Sequence, residues 1–336
     1  MHKIDVLGLG NAIMDVIAPV ADDFLDDHGI TKGAMTLIDE ARALKLHAGF
    51  EDRSKQVMEL AGGSGANTIY GIAKLGLSTA YVGKVGDDDV GQRFTKDMRD
   101  AGVDFNTRPL VNGPATARSL IAVTPDGERS MNTYLGASTA FAKRDVVKAQ
   151  VEAAKVLYLE GYLFDESPAK AAYVKASEIA QAAGNVVALT LSDAFCVERH
   201  RDSFRHLVEH HVDILFANEA EILSLYQVDS VDTALDELAK IGKIACVTRS
   251  AKGSVIQDEK RRYFVPAIWA DKLVDTTGAG DQYAAGVLAG YIMGMDWADA
   301  GYLGSLCAGE VISHYGPRPA VSVHDLALSG EMRPRG

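Results

Sequence analysis

The sequence contains little cysteine and no long apolar run. Its three cysteines, Cys196, Cys246 and Cys307, are widely spaced and form no Cys-x-x-Cys, so neither a disulfide framework nor a zinc site is indicated. This usage favours a reducing compartment, and we predict a cytoplasmic protein. No stretch is long and apolar enough to span a bilayer, and residues 1–5 lead into a strand pattern rather than a signal or transit peptide.

Positive charge is also scarce. The formal net charge is -12 and the pI is about 5.2, which argues against a sequence-independent nucleic-acid surface. A P-loop is missing, and Gly8-Leu9-Gly10 lacks the third glycine of a dinucleotide fingerprint, because Ile13 stands there. His200-Arg201-Asp202 mimics a protein-kinase triplet, but Leu207 replaces the expected Asn, so we interpret it as a solvated helix face.

The length and patterning predict one large domain with a small appendage. The chain has 336 residues and 47% hydrophobic content, enough for a large core. Strand-like and helix-like segments alternate from residue 156 to residue 248, which predicts an α/β fold with a doubly wound, mostly parallel sheet flanked by helices. Ligands bind at the carboxyl ends of the strands in such sheets. The turns that we expect at this edge are Gly10-Asn11, Ser192-Asp193, Asn218, Ser250 and Thr277.

Other segments do not follow this alternation and predict a small separate sheet. Residues 15–20 and 34–38 are brief strand candidates around an acidic, helix-like stretch from Asp22 to His28. Residues 116–135 contain two further strand-like runs. Between these runs lies 125–128, Pro-Asp-Gly-Glu, a good hairpin turn in which glycine can adopt a positive φ.

The stretch 275–281, Asp-Thr-Thr-Gly-Ala-Gly-Asp, lies between a strand-like run and a long helical run. Its glycines let backbone N–H groups approach a ligand, and the N-terminus of the following helix favours an anion. Asp281 places a carboxylate in the first turn, where it could take a proton from an attacking hydroxyl while the amides stabilise a transferred phosphoryl group. The alternative is a simple strand-to-helix connection with a favourable first-turn acid.

Four stretches together resemble the ribokinase-like (PfkB) family of ATP-dependent small-molecule kinases. They are Gly62 to Asn67, Gly83 to Asp88, Asn218 to Glu221 and Asp275 to Asp281, and their order matches over essentially the whole chain. The resemblance implies a single ribokinase-like kinase domain over residues 1–336. It also implies a small β-sheet lid formed by about residues 12–20, 33–39 and 112–136.

The resemblance also implies roles in phosphoryl transfer. Asp281 resembles the catalytic base of the family, and the amides of Gly278, Ala279 and Gly280 resemble its anion hole. Arg129 resembles the arginine that reaches the transferred phosphate. Asn218 and Glu221 match a motif that organises Mg2+ and phosphate through water, although the same pair could form a capping box. Thr248, Ser250, Gly253 and Thr277 correspond to the ATP side, with Ser250 where the family commonly has glycine. A monovalent cation such as K+ is implied near Asp275, Thr277 and residues 315–316.

The acceptor is expected from the branch of the family that some stretches resemble most, the adenosine kinases. These stretches are 10–15, 158–164, 189–192 and 212–219. By that similarity Asn11, Asp15, Gly63 and Asn67 would hold ribose hydroxyls, and a carboxylate suits two vicinal hydroxyl donors. Tyr134 and Tyr162 could supply aromatic surface for a purine, or could equally be packing residues.

The expected function is therefore transfer of the γ-phosphate of MgATP to the 5′-hydroxyl of adenosine or a related purine nucleoside, in purine salvage. The alternative is a sugar kinase acting on ribose, fructose or a keto-sugar acid. A binding protein without turnover is disfavoured, because it would have no use for Asp281 beside an anion hole. We expect no nucleic-acid or membrane partner, and either a monomer or a homodimer.

Overall fold

The computed structural model describes residues 3–165, 167–269, 273–322 and 333–334. Strands and helices alternate along most of this length. The strands are β1 (Ile4–Leu9), β2 (Ile13–Pro19), β3 (Met35–Leu37), β4 (Met58–Gly62), β5 (Thr79–Val82), β6 (Val103–Asp104), β7 (Ala117–Val123), β8 (Arg129–Tyr134), β9 (Ala154–Glu160), β10 (Val186–Thr190), β11 (Ile214–Asn218), β12 (Ile244–Thr248), β13 (Ser254–Gln257), β14 (Arg262–Val265), β15 (Ile268–Trp269) and β16 (Arg333–Pro334). The α-helices are α1 (Asp22–Asp27), α2 (Glu40–Arg53), α3 (Ser64–Lys74), α4 (Asp89–Asp100), α5 (Lys148–Glu152), α6 (Ser167–Ala182), α7 (Ala194–His210), α8 (Glu219–Tyr226), α9 (Val231–Lys240), α10 (Ala279–Ile292) and α11 (Trp297–Val311).

The larger sheet has nine strands within the described residues, in the order β14-β13-β12-β11-β10-β9-β1-β5-β6. The strands from β12 to β6 pair in parallel, and β13 and β14 add an antiparallel edge. Neighbouring residues of a strand face opposite sides, so Leu7 belongs to the core cluster that contains residues of α5 to α9, whereas Val6 belongs to the one that contains residues of α3, α4 and α10. Helices thus cover both faces, which confirms the predicted fold class. None of the described helices is both long and apolar enough to cross a membrane.

The parallel strands bring the expected turns to one edge of this sheet. β1 ends at Leu9, β10 at Thr190, β11 at Asn218 and β12 at Thr248, each next to a turn that the sequence places there. At the same edge, β9 ends at Glu160, and a 3-10 turn covers Gly161–Asp165.

A second sheet of five strands, in the order β3-β8-β7-β2-β4, forms from the described residues. It contains the four predicted segments, and β7 and β8 make the predicted hairpin, with Gly127 at a φ of 83° in the turn. Strand β4 was not predicted. It is an edge strand paired only with β2, and two of its apolar side chains, Met58 and Leu60, remain exposed, which weakens the alternation that reveals a strand.

The two faces of the second sheet differ. Helices α1 and α2 cover the outer face, where Val16 and Leu120 pack against Phe24 and Phe50. The strand register places the alternate residues on the inner face. These residues are Asp15, Ile17, Leu37, Met35, Met58, Leu60, Ser119, Ile121, Arg129, Met131 and Thr133.

Most helices begin at a side-chain cap, and two long ones do not. Asp39, Asp88 and Asp296 accept hydrogen bonds from the first turns of α2, α4 and α11. By contrast, α3 follows Gly63 (φ 91°) and α10 follows Gly278 (φ 78°), and neither glycine has a side chain that could cap its helix. Their N-terminal N–H groups are therefore available to other acceptors.

Candidate active site

The stretch 275–281 forms the start of α10. Gly278 has a left-handed φ, which glycine adopts without strain. A Cβ at this position would lie 2.5 Å from the carbonyl oxygen of Pro317, so the close approach of a second loop also requires glycine. The N–H of Ala279 donates to Thr276 O across the turn at 3.2 Å. A helix start of this kind, with its positive dipole end, favours an anion.

Asp281 lies in the first turn of α10 and faces the start of α3. Its Oδ1 accepts a hydrogen bond from Ser64 Oγ at 2.6 Å, and its Oδ2 accepts one from Asn67 Nδ2 at 3.2 Å. Burial raises the pKa of Asp281 to about 6, while these two hydrogen bonds oppose the rise. A carboxyl with this pKa is ionised at neutral pH and remains a stronger base than an exposed aspartate, as a general base requires.

Asn11 is buried at the carboxyl edge, where it is held by Glu160 at the end of β9. Its Nδ2 donates to Glu160 Oε1 at 2.8 Å, and its backbone N donates to Oε2 at 3.3 Å. Glu160 Oε2 also accepts from Gly65 N at 2.7 Å, which links β1 to the start of α3. The backbone oxygen of Asn11 is 2.5 Å from where a Cβ of Gly63 would lie, so Gly63 is required there by space as well as by its φ.

Asp15 lies on the inner face of the second sheet and is only 7% exposed. Its carboxylate packs over Gly62, where a Cβ would lie 2.2 Å from Oδ2. Burial raises the pKa of Asp15 to about 7, against the nearby charges of Arg318 and Arg129, and the Asp281 charge adds to the rise. Within the part of the chain that the structure describes, no donor bonds this carboxylate, so its lone pairs remain available to a ligand.

Arg129, at the start of β8, joins the second sheet to the start of α10. Its guanidinium forms an ion pair with Asp275, whose carboxylate also accepts from Thr277 N and Gly316 N, both at 3.0 Å. The other terminal nitrogen of Arg129, Nη1, is buried without a hydrogen-bond partner among the described residues. The Asp275 carboxylate already has one arginine and two N–H groups as partners, so its contacts do not indicate a bound cation. The K+ site stays a prediction.

A cavity of about 390 Å³ opens between α10, α11 and the turn after β12. Of the residues expected to contact ATP, three line it: Thr248, Ser250 and Gly253, together with Gly280 from the anion-hole stretch. Ser250 has a φ of 50°, which explains in physical terms why glycine suits this position. Further walls come from small and apolar side chains. They are Ala251, Ala267, Ile268, Leu273, Ala308 and Ile312.

Two positions expected on the ATP side have other contacts here. Thr277 anchors the turn through Asp275, whereas its neighbour Thr276 lines the cavity. Asn218 and Glu221 form a capping box at the start of α8: Asn218 Oδ1 accepts from Glu221 N at 2.8 Å, and Glu221 Oε2 accepts from Asn218 N at 2.9 Å. Burial raises the pKa of Glu221 to about 7.

The two predicted purine-contacting tyrosines lie in different surroundings, and Tyr134 is not brought to Asp15. Tyr134 lies on the opposite face of the second sheet, where it packs against the cluster under α1 and α2, and its hydroxyl is 3.4 Å from Glu40 Oε2. Tyr162 is half-buried in the 3-10 turn after β9. Burial raises its pKa, and the neighbouring charges of Asp193, Glu221, Asp281 and Glu160 add to this, which places the ring among the carboxylates at the carboxyl edge of the larger sheet.

Sequence reasoning missed three residues that this site contains. Ser64 is the first residue of α3 and lies inside the glycine-rich stretch 62–67, three residues before Asn67, which was the available signal. Glu160 is an acidic residue at the end of the buried run Val156 to Leu159 of β9, and acidic residues are unusual in a buried segment. Arg318 lies between two prolines after α11, and its Nε donates to Asn67 Oδ1 at 3.3 Å. Nothing local in the sequence indicates that contact.

The carboxylate of Asp281, the uncapped start of α10 and the adjoining nucleotide-sized cavity define a phosphotransferase that uses an alcohol group as acceptor. The chain belongs to the pfkB family of carbohydrate kinases, whose family model matches residues 32–323. As a kinase of this family it uses ATP and acts on a nucleoside or a sugar.

Known relatives of both substrate classes resemble the chain. The crystal structure of adenosine kinase from Sinorhizobium meliloti is 49% identical with a TM-score of 0.90, covering 98% of this chain and 99% of that one. A probable sugar kinase from Rhizobium etli CFN 42 is 47% identical, also with a TM-score of 0.90, covering 98% of this chain and all (100%) of that one. Adenosine kinase of Saccharomyces cerevisiae is 28% identical over 327 residues, covering 92% of this chain and 95% of its own length.

Proposed function

We propose that the protein transfers the γ-phosphate of ATP to the 5′-hydroxyl of adenosine or a related purine nucleoside. The observation that carries this proposal is the position of Asp15 on a sheet face that is otherwise largely apolar. Asp15 is a buried carboxylate without a bonding partner among the described residues. A ribose needs the carboxylate, and a purine needs the apolar surface beside it.

The ribose hydroxyls would be held by Asp15, Asn11 and Asn67. Asp15 offers oxygens to two vicinal hydroxyl donors, and burial makes each such hydrogen bond stronger than it would be in water. Asn11 and Asn67 have fixed orientations, because Glu160 holds the first and Asp281 contacts the second. Gly63 lets the backbone of this loop lie close to the sugar.

The purine would lie against the inner face of the second sheet. Leu37 is 53% exposed, Met35 40%, Met58 39% and Leu60 37%, and all four share this face with Asp15. Exposed apolar side chains that are grouped rather than scattered indicate a binding surface. A free sugar has no apolar ring system to cover them, whereas a purine does.

Asp281 would act as the general base. In this arrangement its carboxylate accepts the proton of the 5′-hydroxyl, the hydroxyl oxygen attacks the γ-phosphorus, and the bond from that phosphorus to the bridging oxygen of ADP breaks. The start of α10 would stabilise the charge on the transferred phosphoryl group. The unpartnered Nη1 of Arg129 supports a second contact to the same charge, since buried guanidinium nitrogens normally have an acceptor.

ATP would occupy the cavity beside α10, with its phosphates directed to the open space at Gly280, where a Cβ would contact no described atom within 4 Å. Mg2+ bound to the triphosphate neutralises its charge. The described residues contain no cluster of three or more His, Cys, Asp or Glu side chains suited to a metal ion. Asn218 and Glu221 bond to each other, so they fit an indirect role through water rather than a direct metal cage.

A sugar kinase is the second candidate. A hydroxyl-binding group of Asn11, Asp15 and Asn67 would also hold free ribose or fructose, and one of the most similar structures is that of a probable sugar kinase. The two functions differ in whether the apolar part of the inner face contributes to acceptor binding.

The test is a turnover assay with MgATP and adenosine, guanosine, inosine, ribose and fructose as acceptors. We expect kcat/KM to be highest for a purine nucleoside. Phosphorylation of the sugars alone would refute the nucleoside proposal and leave the sugar kinase.

Two variants and a matched control sharpen this test. Leu37→Ser and Leu60→Ser each remove an apolar contact, worth on the order of 1 kcal/mol for a half-exposed leucine, so KM for the nucleoside should rise about fivefold. Leu44→Ser is the control, because Leu44 is 55% exposed but lies on α2, which covers the outer face. Equal effects of all three variants would argue against a purine on the inner face.

A further inference from the structure

Arg318 lies in the turn that follows α11, and its side chain is only 11% exposed. One terminal nitrogen, Nη1, forms an ion pair with Asp97 on α4, and the other lies 3.4 Å from Met98 Sδ. The guanidinium carbon lies over the Tyr70 ring, 4.3 Å from its centroid. Contacts on three sides therefore fix this guanidinium against α3 and α4.

The remaining nitrogen of Arg318, Nε, donates to Asn67 Oδ1 at 3.3 Å, and Asn67 Nδ2 donates to Asp281 Oδ2 at 3.2 Å. A guanidinium has donors and no acceptor, so the amide atom that faces it must be the oxygen. The amino group of Asn67 must then face Asp281. Arg318 thus sets the orientation of the Asn67 amide from the side opposite to the Asp281 carboxylate.

The backbone around this contact is also fixed. Gln282 Nε2 donates to Asn67 O and to Pro317 O, both at 3.0 Å, and it belongs to the same helix turn as Asp281. Asn67, Asp281 and the turn that carries Arg318 therefore hold constant positions relative to one another, and only the side-chain amide of Asn67 could still rotate.

We propose that Arg318 is a positioning residue for phosphoryl transfer, which fixes the Asn67 amide so that its amino group donates to the carboxylate of Asp281. The inference rests on the proposed function, because it takes Asp281 as the base and Asn67 as part of the acceptor site. A purely structural role would instead use Arg318 to attach the turn to α4 through Asp97.

The first test is Arg318→Met, which keeps the length and apolar packing of the side chain and removes its donors. Without Arg318 the Asn67 amide can turn its oxygen toward Asp281, so the carboxylate loses a hydrogen bond and its pKa rises. We expect kcat at neutral pH to fall about tenfold, the scale of one hydrogen bond to a charged group, and the acidic limb of the kcat profile to move to higher pH. An unchanged acidic limb would overturn the proposal.

Asp97→Asn is the matched control. Asp97 is 46% exposed and touches Arg318 but not Asn67, so the variant should lower thermal stability slightly and leave the pH profile in place. If Asp97→Asn moves the acidic limb as far as Arg318→Met does, the effect comes from attachment of the turn, and the positioning role is refuted.

A double-mutant cycle with Asn67→Ala separates action through Asn67 from a direct charge effect. The proposal requires Arg318→Met to have no further effect on kcat or on the acidic limb in the Asn67→Ala background. Additive effects would show that Arg318 acts on Asp281 directly. The other titratable groups that face Asp281 are unchanged in every variant. They are Asp15 on β2, Tyr81 on β5, Tyr158 and Glu160 on β9, Tyr162 and Glu221.

The cycle does not depend on which acceptor is correct. It is run with whichever compound of the panel the wild-type protein phosphorylates, so failure of the nucleoside proposal leaves it intact. The pKa of Asp281 is also measured without any acceptor, by 13C NMR of labelled aspartate carboxyl groups, with Asp281→Asn to assign the resonance. A pKa that Arg318→Met does not raise would refute the positioning role even if the wild-type protein phosphorylates none of the compounds.

Discussion

Replacing Glu160 by glutamine tests whether one buried carboxylate holds the acceptor site at a cost in stability. Glu160 is 1% exposed, and burial raises its pKa from the ordinary 4.5 to about 7, against hydrogen bonds from Gly65 and Asn11. A group whose pKa is higher in the folded state than in the unfolded state stabilises the fold fully at pH values below its unfolded-state pKa. This stabilisation is lost as the pH rises through its folded-state pKa. At about 1.4 kcal/mol per pH unit, this loss amounts to about 3 kcal/mol between pH 4.5 and pH 7.

Glutamine has nearly the same shape and does not titrate. We therefore expect the free energy of unfolding of Glu160→Gln, relative to the wild type, to improve by about 3 kcal/mol as the pH rises from 4.5 to 8. Urea unfolding of the ligand-free protein at several pH values measures this difference. Glu51→Gln is the control, since 70% of the Glu51 side chain is exposed, and its pH curve should run parallel to the wild type. A parallel curve for Glu160→Gln as well would refute the reasoning.

The same variant should weaken acceptor binding. Glutamine can still accept from the N–H groups of Gly65 and Asn11 through its oxygen, but its amino group then faces the amino group of Asn11. Two donors cannot bond each other, so the Asn11 amide must turn over and present different atoms to the acceptor. KM for the acceptor should rise about tenfold, and an unchanged KM would show that Asn11 does not contact it.

Three further predictions concern the start of α10 and the second sheet. Asp281→Asn should lower kcat by roughly 10²- to 10⁴-fold with ATP still binding, and near-normal turnover would remove Asp281 from the mechanism. Gly278→Ala should lower the melting temperature, because the left-handed φ of Gly278 and the Pro317 backbone both oppose a Cβ. Gly280→Ala should fold normally and raise KM for ATP. Equal melting temperatures of the two variants would contradict this geometry. Nucleoside binding should protect the amides of residues 116–135 from hydrogen exchange, and unchanged exchange would indicate a rigid, open site.

The parts of the structure that could be predicted from the sequence depend on local rules. The start of α10 follows from Gly278 and Gly280 because backbone N–H groups act in the same way whatever side chains surround them. The parallel sheet follows from repeated strand-helix units, which bring the turns after β1, β10, β11 and β12 to one edge without any knowledge of the loops.

The predictions that could not be made from the sequence depend on strand register and distant contacts. Tyr134 was expected near a purine. Successive residues of β8 point to opposite faces of the sheet, and the face on which each one lies is fixed by the register of β8 with β7. Strand β4 has one neighbour and exposed apolar residues, so its pattern is weak. Glu160 meets Asn11 across 149 residues and Arg318 meets Asn67 across 251, and no local pattern predicts such pairs.

This difference explains why the phosphate side of the site is easier to predict than the acceptor side. The proposed phosphate side uses backbone N–H groups of one short stretch, so seven consecutive residues are enough to predict it. The proposed acceptor side combines Asn11 after β1, Asp15 on β2 and Asn67 on α3. Asn11 depends on the distant Glu160 for its position, and Asn67 and Asp15 depend on the distant Arg318 for position and charge. Arg318 contacts Asn67 and opposes the rise in the pKa of Asp15, although it lies far away in the chain. Acceptor preference could therefore change through such supporting residues while the proposed phosphate-binding stretch stays the same.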